Sequence, residues 1–298
     1  MKTTKTATTI DRQIEILKSR NVVIEDEENV KKVLLDVGYY RLGSYLFPFE
    51  MTYPSKNNRD HICYSNTNIK DVIELYRFDD ELRYILSRYI TKIEVNLRTF
   101  ITYYVSNFYK DNPFWFIDPT IMSESFHSSF DTKIYTDEFK QKPVIAEHHA
   151  KYDEDTYAPA WKTIEHMTLG SLFQTFLSIS NTKVQGDISL HYNVKKLTKF
   201  ISYFYAIVTI RNQCAHGGVL FDMKLCKPIK NGPAGNFNSF TNSNIIGIID
   251  VIKYFCRQIS PSLETELNSK IDSLIDSIES ETVCDKLERI AGFEIFEK

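Results

Sequence analysis

From Ile69 to Tyr109 apolar residues recur at a 3-4-3-4 spacing, through Val72, Ile73, Tyr76, Leu82, Ile85, Leu86, Tyr89, Ile90, Ile93, Leu97, Ile101, Tyr104, Val105 and Phe108. Charged side chains such as Arg77, Asp80, Arg83, Arg88, Glu94 and Arg98 fill the gaps. A strand alternates with period two, so only a long amphipathic helix puts this many apolar residues on one face. The pattern allows a break near Phe78, and Asp111-Asn112-Pro113 ends it, because a proline disfavours helical geometry in the residue before it. A helix of this length needs partners to cover its apolar stripe, and the composition supplies them. The chain of 298 residues is 43% hydrophobic, with only 10 Gly and 9 Pro to interrupt helices. The expected fold class is all-α.

The rest of the chain reads the same way. Residues 9–20 place Ile10, Ile14 and Leu17 at helical spacing behind a Thr9 cap, and Asp26 caps a second helix that Gly38 stops. The stretch Tyr39 to Glu50, rich in Tyr and Phe, reads as an aromatic connector wedged between helices, and 52–68 as a polar loop or short hairpin. Short helices are expected at about 121–130 and 143–151, one helix from Pro159 to about Ile179, another at 182–192, and a strong one from Lys195 to Ala215 stopped by Gly217-Gly218. A Gly/Asn/Pro/Ser loop at 231–244 precedes three helices at about 244–258, 262–280 and 282–291. Residues 1–66 are expected to form an N-terminal helical extension with the aromatic connector, and 67–298 the main helical domain.

Charge is unevenly spread over a net −3. Residues 260–298 hold ten acidic and four basic side chains, whereas 183–230 hold eight Lys/Arg against Asp187 and Asp222. A local basic surface is compatible with a mildly acidic protein, and so is a set of solvated lysines with no partner. The first nine residues carry no apolar run, and Phe200 to Ile210 is about half a membrane span, so neither a signal peptide nor a membrane helix is expected. Five cysteines with no CxxC pair fit neither a disulfide framework nor a zinc knuckle. These features point to a cytoplasmic protein without metal or other cofactor.

One segment stands apart: Arg211-Asn212-Gln213-Cys214-Ala215-His216-Gly217-Gly218. Arg211 and His216 are five positions apart, about 140° around a helix, so mid-helix they share no face. At a terminus freed by two glycines, the long arginine can lean toward the histidine. A fixed cation beside a group that titrates near neutral pH is what RNA cleavage without a metal needs. The imidazole handles the 2′-hydroxyl or 5′-oxygen proton, the guanidinium faces the charge growing on phosphate, and Asn212 orients the phosphate or its neighbour.

Arg-Asn-x-x-x-His closing an apolar helix resembles the RX4–6H signature of the HEPN superfamily. Three other segments are similar to the Abi-like (abortive infection, AbiD/AbiF type) family: GYYRLGSYLFPF (Gly38 to Phe49), YRFDDELRYILSRYITKIEVNLRT (Tyr76 to Thr99) and PAWKTIEHMTLGSLFQTF (Pro159 to Phe176). They stand in the family's order, and a closing Ala-Gly-Phe (Ala291 to Phe293) adds little. The resemblance implies a HEPN-like helical bundle and an antiphage abortive-infection protein. It implies a metal-independent endoribonuclease whose catalytic residues are Arg211, His216 and Asn212, leaving 2′,3′-cyclic phosphate ends. In the superfamily two motifs commonly meet in one composite site. This chain has a single copy, so a complete site requires a homodimer. A small inhibitory RNA is a further partner implied at the family level. The alternative is a toxin-like protein that binds RNA without cutting it.

Each candidate also has a structural reading. His216 also reads as a helix C-cap, its ring bonding the last carbonyls. Arg211 pairs with a buried acid such as Glu94, a role compatible with catalysis. Glu94 and Arg98 stand one turn apart and read either as a surface pair or, on the helix facing the motif, as support for Arg211; Glu165 has the same status. Lys195, Lys196 and Lys199, some 18–25 Å from the motif along the helix at about 1.5 Å per residue, are placed to hold RNA backbone. His148 and His149 with Asp153, Glu154 and Asp155 read as a solvated stretch rather than a metal site, and Trp115 and Trp161 as core anchors.

Overall fold

In the computed structural model, which describes residues 6–295, the chain is a set of helices with one two-stranded ribbon. Helix α1 (Ile10–Ser19) starts where the Thr9 hydroxyl accepts from the Arg12 N–H, and α2 (Glu27–Asp36) where the Asp26 carboxylate accepts from the Asn29 N–H, both as the capping residues require. Gly38, at φ +88°, then turns the chain straight into α3 (Tyr39–Leu46), followed by a 3-10 turn at Phe47–Phe49. The expected aromatic connector is therefore helical. Leu42, Tyr45 and Leu46 recur at 3-4 spacing and are buried, whereas Tyr40 is 94% exposed. Residues 52–68 are a loop closed at its base by an antiparallel bridge between Glu50 and Cys63; their last two, Thr67–Asn68, pair in parallel with Val22–Val23 between α1 and α2.

The long segment is one unbroken helix, α4 (Ile69–Phe108). The break that the pattern allows near Phe78 is absent. Phe78 is buried, and Asp79 beside it is held by bonds that keep the helix intact. The next stretch holds short turns of helix: α5 (Glu124–His127), α6 (Phe130–Lys133), α7 (Asp137–Lys140), α8 (Pro143–Lys151) and α9 (Ala160–Thr163). The helix expected from Pro159 to Ile179 is divided. After a 3-10 turn, Met167 is extended, and the Thr168 side chain accepts from the Ser171 N–H to begin α10 (Leu169–Ser178). Helices α11 (Thr182–His191) and α12 (Leu197–Ala215) follow, then α13 (Ile245–Ile259), α14 (Pro261–Asp276) and α15 (Glu281–Lys286), the last continued by a wider turn at Leu287–Ala291. The chain is all-α, and among the described residues no helix is long and apolar enough to cross a membrane.

Two compact units divide it. One comprises the chain up to Tyr84, Val219–Met223 and the chain from Lys270 on; the other comprises Ile85–Gly218 and Lys224–Ser269. In the second, α12 packs against α10, α11 and α13 and buries Phe200, Tyr203, Phe204, Ile207 and Ile210. Phe176, Tyr192, Phe200 and Phe255 cluster around it with ring centroids 5.1–6.1 Å apart. At about 25 cal/mol per Å² of apolar area removed from water, such a cluster of large rings is a main source of this unit's stability. In the first unit the Asp79 carboxylate accepts from the N–H groups of Leu220 and Phe221 at 2.8–3.1 Å, from the Tyr45 hydroxyl at 2.8 Å and from Arg83 at 2.5 Å. A buried carboxylate this well supplied with donors fixes every element that touches it.

Candidate functional site

Helix α12 presents the Arg211 segment at its end because its last turn is closed by backbone bonds. The N–H of His216 donates to the Asn212 carbonyl at 3.0 Å, and that of Gly218 to the Gln213 carbonyl at 2.8 Å. Gly217 takes the left-handed conformation, φ +63°, that such a terminus needs and that side chains resist. His216 is thus the C-cap, but through its backbone. Its side chain is exposed, and among the described residues no hydrogen bond reaches the ring. The C-cap reading is correct for the position and not for the imidazole, which is left facing solvent.

Arg211 is held from α4. Its Nε lies 3.5 Å from Glu94 Oε2, while the other oxygen of the same carboxylate accepts from Arg98 at 2.8 Å. Glu94 therefore bridges two guanidinium groups, with side-chain exposures of 15% for Glu94, 10% for Arg98 and 34% for Arg211. Arg98 also donates at 2.8 Å to the Met167 carbonyl, released by the interruption before α10. A backbone acceptor freed by a broken helix and an arginine one turn from its acid complete one network. Arg98 Nε is buried without a partner. The sequence reading of Arg211 as the ion-pair partner of Glu94 corresponds to what the geometry holds.

Around this network lies an open hollow of about 360 Å³ lined by Ser87, Thr91, Glu94, Arg98, Arg211, Cys214 and Ala215 with the apolar Ile90 and Val95. Ser87 and Thr91 were not singled out by sequence reasoning. Their signal was present: 87, 91, 94 and 98 form a 4-3-4 polar stripe on a helix whose other stripe is apolar. His216 does not line this hollow. Asn212 is exposed next to it in sequence, its Oδ1 3.4 Å from Arg211 Nη1.

The remaining candidates fall elsewhere. Lys195 and Lys196 are exposed just before α12 rather than on it, with Lys196 at the N-cap position, and Lys199 is half-buried in its first turn. Glu165 is exposed on the turn before Met167. Trp115 is fully buried with its N–H donating to Ser106, but Trp161 is 56% exposed and anchors no core. His148 and His149 sit on α8 rather than in a solvated stretch. His148 is buried and pairs with Asp155 at 3.0 Å, and His149 with the Tyr135 hydroxyl at 2.9 Å. Their partners lie on different sides of the helix, as the 100° step between neighbours requires. Among the described residues no three His, Cys, Asp or Glu side chains group as a metal ion would need. None of the five cysteines forms a disulfide.

A family model described as Abi-like protein matches residues 32–222, close to two thirds of the chain and including α3, α4, the divided α9–α10 segment and the whole of α12 with its terminus. No curated protein and no solved structure was found to match the chain.

Proposed function

Taking the chain as what that match makes it, a member of the Abi-like family, we propose that it is an antiphage abortive-infection protein that cleaves RNA without a metal. Family membership supports the abortive-infection role. The endoribonuclease reading is carried by one observation: an exposed, unbonded imidazole, His216, ends the helix on which Arg211 is held by Glu94.

The chemistry follows from those groups. His216 of one copy takes the proton of an RNA 2′-hydroxyl, and that oxygen attacks the adjacent phosphorus. The bond to the 5′-oxygen breaks as a second imidazole, supplied by His216 of another copy, returns a proton to the leaving oxygen. The products are a 2′,3′-cyclic phosphate and a 5′-hydroxyl. Arg211 faces the charge that builds on the phosphoryl oxygens, and Asn212 donates to the same phosphate. Glu94 and Arg98 do not touch RNA; they set the direction of the Arg211 fork, whose bonding is geometric as well as electrostatic. The working unit is a homodimer in the cytoplasm. Lys195, Lys196 and Lys199 hold RNA backbone, and a small RNA on the same surface restrains the activity until infection.

The test incubates the purified protein with structured RNA in EDTA and maps the product ends. Cleavage leaving cyclic phosphate, absent in His216→Ala, supports the reading. RNA retention without cleavage by either form replaces it with an RNA-binding role. That second reading is favoured by the place of His216 outside the hollow that Glu94, Arg98 and Arg211 line.

A further inference from the structure

In the first unit α1, α3 and the start of α4 enclose a hollow of about 260 Å³ that the Arg211 chemistry does not use. Its floor is apolar, with Leu17, Leu42 and Val72 all buried. Its polar wall consists of Arg20, Tyr39, Glu50, Arg59 and His61.

Glu50 organises that wall. Its side chain is 1% exposed, accepts from Arg59 Nε at 2.9 Å and Nη2 at 2.6 Å, and lies 3.1 Å from His61 Nδ1. Desolvation by burial would raise the Glu50 carboxyl, but the bonds from Arg59 and His61 outweigh it and hold the group below the usual glutamate range. A charged carboxylate fixes the His61 tautomer, because Nδ1–H donates to it and Nε2 is left for whatever enters the hollow. Arg20 spends one N–H on the Tyr39 hydroxyl at 2.8 Å, a neutral partner that cancels none of its charge. Among the described residues Arg59 Nη1, Arg20 Nη2 and His61 Nε2 have no hydrogen-bond partner. Two guanidinium groups against one carboxylate leave the wall net positive even with the imidazole neutral. His61 is also held at φ +64°, a conformation that costs a residue with a side chain roughly 1 kcal/mol.

We propose that this hollow binds a phosphate monoester. Two guanidinium groups and an imidazole suit a tetrahedral anion with three free oxygens better than a planar carboxylate. Neutral Nε2 accepts the P–OH of the monoanion, and protonated Nε2 donates to the dianion. The floor accepts the carbons of an attached group.

Isothermal titration of the full chain tests this with two probes, inorganic phosphate and a nucleoside 5′-monophosphate, against sodium chloride at equal ionic strength. Saturable binding is expected, with affinity falling at least tenfold in Arg20→Gln and in His61→Gln. Tighter binding of the nucleotide than of phosphate is the expected result, and equal binding overturns the ester in favour of free phosphate. Arg20 is part-exposed and spans no core, so Arg20→Gln is expected to keep the wild-type melting temperature. The inference is overturned if phosphate behaves as chloride does, or if a folded Arg20→Gln binds as the wild type does.

Discussion

Asp79–Arg83 and Glu94–Arg98 are the same device on one helix: an acid and an arginine four residues apart on α4. The first pair is sealed. Asp79 is fully buried, Arg83 is 4% exposed, and the carboxylate also holds the Tyr45 hydroxyl and two backbone N–H groups. The second is open. Glu94 shares its oxygens between Arg98 and the half-exposed Arg211 at the edge of a hollow. Identical spacing thus yields a structural clamp in one place and an adjustable support in the other, and the number and burial of the remaining partners decide which. Asp79 fixes Leu220 and Phe221, and Glu94 fixes Arg211, so the two pairs bind chain on either side of His216 in sequence.

The largest effect expected from this contrast belongs to Asp79→Ala. It leaves Arg83 buried with no buried counter-charge and two N–H groups without an acceptor, a loss of about 3–5 kcal/mol in denaturant unfolding. Arg98→Ala comes next. Removing it orphans the Met167 carbonyl and half of the Glu94 carboxylate, at a cost of about 2 kcal/mol by the same measurement. Glu94→Gln is expected to cost only about 1 kcal/mol, since one partner is part-exposed, while lowering RNA cleavage at least tenfold through the freed Arg211. A stability loss in Glu94→Gln as large as in Asp79→Ala would erase the distinction between the pairs. Gly217→Ala is expected to cost a similar amount, about 1 kcal/mol, for a side chain placed at φ +63°.

A third acid, Glu50, sharpens the comparison through pH. Its carboxyl is held below the ordinary glutamate value, so the stability it contributes is present above that value and is lost as pH falls through the lower folded one. Melting temperatures are expected to drop in that acidic window for the wild type. Glu50→Gln, which carries no charge to protonate, should flatten that part of the profile while being less stable at neutral pH.

Much of this was legible along the chain. The 3-4 spacing in 69–109 gives α4 with nearly its observed ends, and the caps at Thr9 and Asp26 give the starts of α1 and α2 to the residue. Both are local: a cap needs only a side chain three residues from an N–H, and an amphipathic stripe needs only periodicity. The Tyr39–Glu50 stretch reads as a connector because its aromatic density hides the 3-4 spacing of Leu42, Tyr45 and Leu46. The helix from Pro159 was read as continuous because nothing local separates Thr168 as a cap from Thr168 as a helical residue. The Arg98 bond to the Met167 carbonyl, 69 residues away, helps to fix that choice.

The sequence by itself determined the all-α class, the family and the Arg211–His216 segment, since spacing, capping and residue order are properties of neighbouring positions. Only the tertiary structure decided that Arg211 leans on Glu94, that the His216 ring is unbonded and exposed, and that Glu50 gathers Arg59 and His61 at one hollow. Those are matters of burial and of partners distant in the chain. Whether a charge is sealed or left open depends on what packs around it, and periodicity carries no record of that.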